Sequence, residues 1–410
     1  MTPRQDMGNR ISATKPARRW VILGVVYLCM LSLALSLQSV PPILSLILVE
    51  LELSHTQGGL LMSLFALPGI IISIPAGMLA DRYSQKAIGL ISLGLMIIGA
   101  AVFASGNNMV GLGLGRVISG IGAMTLGVLL PQLLAQWFSE RELGTAMGIF
   151  TTAMPLGTIL SLNFLSLAAE SFGWRSSVWL SAGVPLLAVV VFALLFAAAP
   201  ERSKPAPHLE GFWQDIRSAE ISVWKIGIAW LLFNAAVMSL FTFTPDLLKS
   251  GGFSVVQAGF LTSAVMWPSL VVSPTIGYLM DRIGYKRLIT IIGGLCLAIL
   301  IVLVPGGTSW ILGLMLLIGI AQTMVPAPIF SILPEATRPE RLGLGYGIVA
   351  TCLNIGIVVG PSLTGLFRDL TGSYQTSYAL LSGLALLVSV TMLTLKQQST
   401  PQDMPSKTAS

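Results

Sequence analysis

The chain has 410 residues, of which 54% are hydrophobic and only 10% charged. Soluble domains are roughly 45–50% apolar and 25% charged, so a mean hydropathy of +0.84 excludes an ordinary soluble protein and indicates an integral membrane protein. The net charge of +6 is not a nucleic-acid footprint, because the basic residues lie in short polar segments between apolar runs, where the positive-inside rule accounts for them.

In chain order, residues 1–19 form a polar, basic tail, and the apolar run behind it is too long for the core of a cleaved signal. A helix needs about 20 mainly apolar residues to cross a bilayer. Six such runs follow, near 20–48, 58–80, 87–106, 109–136, 144–169 and 176–198, within a first unit 20–199. Residues 200–224 open with prolines and charges and read as a cytoplasmic linker. Six more runs, near 225–248, 257–280, 286–305, 309–333, 343–367 and 375–396, make a second unit 225–396, and 397–410 are a second cytoplasmic tail. With the N-terminus inside, all but four of the 23 Lys and Arg fall on the cytoplasmic side. Arg175, Lys249 and Arg368 fall in outer loops and Arg116 within span four. That asymmetry predicts both termini in the cytoplasm.

The two units echo each other. GMLADRYSQKAIG at 77–89 returns as GYLMDRIGYKRLI at 277–289, sharing Gly77 with Gly277, Asp81 with Asp281, Arg82 with Arg282 and Lys86 with Lys286. Glu140 and Arg141 return as Glu340 and Arg341. Matched loops of this kind indicate parallel repeats about an axis along the membrane normal. The expected fold is an all-α membrane protein with twelve transmembrane helices in two pseudo-symmetric six-helix bundles.

Span four reads GLGLGRVISGIGAMTLG. A charge at membrane depth costs at least about 2.5 kcal/mol on insertion scales, which makes Arg116 a functional candidate. The same helical face continues through Gly120, Ala123 and Gly127, small residues that leave space for a cavity. Two roles stay open: Arg116 holds a ligand, or it snorkels or ties helices together through backbone carbonyls. The three cysteines, Cys29, Cys296 and Cys352, lie apart in apolar runs and read as packing residues. No nucleotide loop, metal-ligand cluster or nucleophile with a placed base is found, so neither enzymatic chemistry nor a cofactor or metal is expected.

The doubled loop between spans two and three and between spans eight and nine of a twelve-span chain resembles the signature of the major facilitator superfamily. The resemblance covers essentially the whole chain. It implies a conformational latch of Gly77, Asp81, Arg82 and Lys86 with Gly277, Asp281, Arg282 and Lys286, closing on the opposite half when the cytoplasmic side is shut. Ser84 and Gln85 depart from the family pattern, which usually has Gly and a basic residue there. The arginine of span four is similar to a family motif for substrate binding or proton relay. In span five Met154 precedes Pro155, where drug exporters of the family usually carry Gly-Pro. The resemblance also implies a translocation path between the halves, lined chiefly by spans one, four, seven and ten. Polar groups at mid-depth there are Gln38, with Ser32, Ser36 and Ser39, then Arg116, Asn234 and Gln322; Asn354 in span eleven and Trp267 in span eight follow.

All seventeen carboxylates fall in tails, loops or span ends, and both histidines, His55 and His208, in loops. A buried arginine without a carboxylate partner favours an anion, which it holds through a planar fork of donors. The expected function is therefore secondary active transport of a small organic or inorganic anion, such as a carboxylate, by alternating access, with proton or counter-anion coupling. The alternatives are efflux of amphipathic drugs or other hydrophobic compounds, and a membrane sensor or assembly partner that moves nothing. The expected setting is a lipid bilayer, a bacterial inner membrane, with the chain monomeric and no nucleic-acid partner.

Overall fold

The computed structural model describes residues 16–82, 84–138, 140–196, 220–272, 276, 285–306, 310–337 and 342–395. Every regular element among them is helical, and twelve helices are long and apolar enough to cross a membrane. They are α1 (Arg18–Glu50), α2 (His55–Arg82), α3 (Gln85–Ser105), α4 (Met109–Trp137), α5 (Thr145–Phe172) and α6 (Trp174–Leu195) in the first half. The second half has α7 (Ile221–Ser250), α8 (Val255–Val272), α9 (Lys286–Gly306), α10 (Ile311–Ile332), α11 (Leu342–Thr371) and α12 (Tyr374–Leu393). Hydrocarbon offers the backbone no hydrogen-bond partner, so an apolar run of this length satisfies its peptide groups within itself as a helix. Side-chain caps start several of them: Ser84 accepts from the Ala87 N–H before α3, Asn108 from Gly111 before α4, and Ser254 and Gln257 form a capping box at α8.

Four spans that read as continuous in the sequence are interrupted. In α1 the helix stops at Leu37 and restarts at Leu44 after a 3-10 turn, Pro41–Ile43. Pro41 and Pro42 have no N–H for the carbonyls of Leu37 and Gln38, four residues back. Helix α5 contains a π turn, Ser161–Leu165, and α8 a 3-10 turn, Ala264–Met266. Helix α10 pauses at Met324 and Val325 before Pro326.

Small residues bring the helices together. A Cβ on Gly99 of α3 would lie 2.3 Å from Ser119 Oγ of α4, and one on Gly115 of α4 would lie 2.5 Å from the Phe103 nitrogen. The backbones therefore touch, as membrane helices do where bulky side chains are absent. Helices α1 to α6 pack as one bundle and α7 to α12 as the other, joined chiefly where α2 meets α11 and α5 meets α8. Twelve alternating spans put the two described chain ends at one end of the molecule. The opposite end is the far end.

Candidate substrate site and the seal between the halves

The break in α1 creates the site's first problem, because it leaves carbonyls without helical partners in an apolar interior. Arg116 on α4 supplies the missing donors. Its Nη1 donates to Ser36 O at 2.8 Å and approaches Ser39 Oγ at 3.4 Å, and Nη2 donates to Leu37 O at 3.1 Å. Nε reaches Leu61 O of α2 at 2.9 Å, Nη2 also lies 3.7 Å from Met62 Sδ, and the guanidinium carbon sits 4.3 Å from the Phe65 ring centroid. Ser161 at the π turn of α5 donates to the other orphan, Gln38 O, at 2.5 Å. Arg116 is 3% exposed. All of these contacts are neutral, and among the described residues no carboxylate forms an ion pair with Arg116.

Gln38 itself stands differently. It is 1% exposed, and neither Nε2 nor Oε1 has a hydrogen-bond partner among the described residues. A buried amide in that state costs roughly 1–3 kcal/mol relative to a paired one. It sits one residue along from the two carbonyls that Arg116 holds.

Gln322 on α10 is also buried and reaches into the break of α8, where Nε2 donates to Val265 O at 3.0 Å and Ser269 Oγ at 3.2 Å. Asn234 on α7 donates to its own helix at Trp230 O, 2.8 Å away, and Asn354 on α11 to Ala350 O at 3.2 Å. Asn354 faces α2 across the seam, since a Cβ on Gly69 would come within 2.8 Å of both Asn354 Oδ1 and Met124 Sδ. Trp267 on α8 is 37% exposed and packs edge-on against Phe260.

Of the doubled loop, the side chains of Gly77, Asp81 and Arg82, and Gly277, Asp281 and Arg282 altogether, lie outside the described residues. The remaining two members stay within their own halves. Lys86 Nζ donates to Ala193 O at the end of α6 at 2.7 Å, and Lys286 Nζ pairs with Glu335 at 2.5 Å.

At the far end the two halves are in backbone contact. A Cβ on Gly59 of α2 would lie 2.2 Å from Pro361 O of α11, one on Gly365 would lie 2.2 Å from His55 O, and one on Gly259 of α8 would lie 2.0 Å from Leu162 O of α5. Ser63 Oγ donates to Val358 O and lies 2.7 Å from Ser362 Oγ, while Asn163 Nδ2 donates to Ser263 Oγ at 3.0 Å. Asp369 of α11 caps the start of α2, accepting from the N–H groups of His55 and Thr56 at 2.9 and 2.7 Å and from Thr56 Oγ1 at 2.6 Å. The His55 ring lies between two acids, with Nδ1 3.0 Å from Asp369 Oδ1 and Nε2 3.3 Å from Asp246 Oδ2. Tyr374 OH donates to the same Asp246 oxygen.

The sequence reading leaves His55 in a loop and Asp246 and Asp369 near the outer ends of spans seven and eleven, without joining the three. The only available signal is the coincidence of His55 before one span with Asp246 and Asp369 near the ends of two others. Pairing them requires knowing that α2, α7 and α11 converge.

A family model for the Major Facilitator Superfamily matches residues 26–261 and 245–409. The chain is 26% identical over 403 residues to the 3-(3-hydroxy-phenyl)propionate transporter of Escherichia coli, covering 93% of this chain and 96% of that one. It is 22% identical over 368 residues to the hexuronate transporter of Bacillus subtilis, with coverage of 84% and 86%. Its fold is similar to that of a variant of the nucleoside transporter NupG, with a TM-score of 0.79 at 15% identity over 92% of this chain and all of that one. With twelve membrane-length helices in two bundles and a family match along both of them, this chain belongs to the Major Facilitator Superfamily and is a secondary transporter.

Proposed function

We propose that the transporter carries a small anion, most plainly a carboxylate, by alternating access between its halves. The observation that carries the reading is the buried Arg116 guanidinium, which no carboxylate among the described residues balances. Neutral acceptors fill its donors but leave a full positive charge in a low-dielectric interior, where its field reaches further than in water. An anion arriving beside the α1 break meets that field. Gln38 then offers the direct contact, because its amide has no partner to give up among the described residues.

Arg116 thus acts in two ways, closing the broken span and charging the site. Asn234, Gln322, Asn354 and, more peripherally, Trp267 are proposed as the second half's contribution to the path, and the doubled loop as the latch that shuts its other end. Hexuronate and 3-(3-hydroxy-phenyl)propionate, named for the two relatives, are both carboxylates, which supports the reading. A bacterial inner membrane with cytoplasmic termini is supported by the Lys and Arg asymmetry and by those bacterial relatives.

The test is thermal stability of the purified protein in detergent against monocarboxylates, dicarboxylates, inorganic anions and lipophilic cations. A ligand at 100 times its dissociation constant adds about 2.7 kcal/mol. Stabilisation by an anion that is lost in Gln38→Leu and in Arg116→Gln supports the proposal. Stabilisation by lipophilic cations alone, unchanged in both variants, overturns it in favour of an exporter.

A further inference from the structure

The seal at the far end is built around a histidine with an acid on each ring nitrogen. A neutral imidazole has one N–H, so it donates to only one of two carboxylates; an imidazolium donates to both. In the sealed arrangement the first half brings His55, at the start of α2, and the second half brings Asp246 on α7 and Asp369 on α11. The three separate when the halves part at that end. His55 and Asp369 side chains are each 26% exposed and Asp246 13%, so water has access to the ring.

Every element packed against the ring adds to the account. Helix α11 also brings Arg368, whose guanidinium carbon lies 4.6 Å from the Tyr374 centroid, and α12 brings Tyr374, edge-on to His55 with centroids 6.0 Å apart. Behind it Tyr378 OH lies 2.7 Å from Thr244 Oγ1. Glu50 of α1 is held by Arg175 and Trp174, and Glu170 of α5 accepts from the Val256 N–H, so both are engaged elsewhere. Two carboxylates and one guanidinium leave the cluster with one net negative charge, and a proton on His55 supplies the balance.

We infer that His55 is a proton-binding site of the transport cycle, taking a proton from the aqueous phase at the far end as α2 seats against α7 and α11 and returning it when the halves part there. The inference rests on the alternating-access reading proposed above. It assigns proton linkage to a gate remote from Arg116 and Gln38, so a proton and a substrate occupy different places. Closure binds one proton and opening releases it, with no covalent bond made or broken otherwise.

The test places spin labels at Phe172→Cys on α5 and Leu370→Cys on α11, both strongly exposed at that end, with Cys29, Cys296 and Cys352 replaced by Ala. Distances are measured in lipid nanodiscs from about pH 5 to about pH 8, either side of the ordinary histidine value of about 6.5. The closed distance should gain population as pH falls, by up to about tenfold in the closed-to-open ratio per pH unit for one linked proton. In His55→Gln that dependence should vanish, and in Asp246→Asn its midpoint should move to lower pH. Opening that is independent of pH in the wild-type residues, or a pH dependence that survives in both variants, overturns the proton site while leaving the carrier reading intact. A single closed distance under all conditions, substrate included, overturns the carrier reading and the inference with it.

Discussion

Gln322 repeats in the second half two of the contacts that Arg116 makes in the first. Arg116 Nε donates to Leu61 O and Nη2 approaches Met62 Sδ at 3.7 Å, while Gln322 Nε2 donates to Val265 O and approaches Met266 Sδ at the same 3.7 Å. Each side chain leaves the fourth helix of its half for the second, and each partner carbonyl is followed by a methionine. The internal repeat therefore extends from the loops to single hydrogen bonds in the core. It differs in charge, since one member is a cation and the other a neutral amide, and this places the positive potential in one half alone.

That difference sets the cost of removing each. Arg116→Leu leaves the Leu37 carbonyl without its donor and Ser36 O with the Ser39 hydroxyl alone, and hydrogen bonds from a charged group contribute about 1.5–3 kcal/mol each. A loss of roughly 3 kcal/mol or more is expected on this scale, against about 1 kcal/mol for Gln322→Leu. Equal unfolding free energies for the two variants, measured by denaturant titration in mixed micelles, would refute the capping role of Arg116. Arg116→Lys should recover little, because an ammonium lacks the planar fork that spans two carbonyls.

Gln38→Leu should change stability in the opposite direction. The native amide is buried without a protein partner, and replacing such a group with an apolar one of similar size relieves a desolvation cost of about 1–3 kcal/mol. The ligand-free variant is expected to melt at or above the wild-type temperature while losing transport of labelled anions. A drop in melting temperature with transport retained would show the amide to be structural.

Ser161→Ala removes the hydroxyl that caps Gln38 O from the π turn of α5. Hydrogen bonds between membrane helices average about 0.6 kcal/mol, so the expected loss is modest. The informative measurement is additivity with Arg116→Leu. The two side chains close neighbouring carbonyls of one break, and a double mutant that departs from additivity by more than about 0.5 kcal/mol shows that they act as a unit.

Gly59→Val and Gly259→Val should open the far end. A Cβ at these positions would lie 2.2 and 2.0 Å from opposing backbone oxygens, distances no side chain accommodates without separation of the halves. Ser63, buried on the α2 face of that seam, then becomes a reporter. In a background without native cysteines, Ser63→Cys should react several-fold faster with a membrane-impermeant thiol reagent when either valine is present. An unchanged rate would mean that the seam relaxes without opening.

Composition and spacing by themselves determined that this is a twelve-span helical membrane protein with an internal repeat. The reason is that hydrocarbon imposes one local solution, the helix, on every long apolar run. Arg116 was legible for a related reason: a lone charge in such a run demands an explanation wherever its partners lie. Only the tertiary structure decided what those partners are, because the helix of α1 stops at Leu37 before the Pro41 and Pro42 turn and the carbonyls of Ser36 and Leu37 meet α4 by packing. It also decided the far-end cluster. His55, Asp246 and Asp369 are separated by hundreds of residues, each unremarkable at a span end, and acquire their geometry only where glycines let the two halves close to backbone contact.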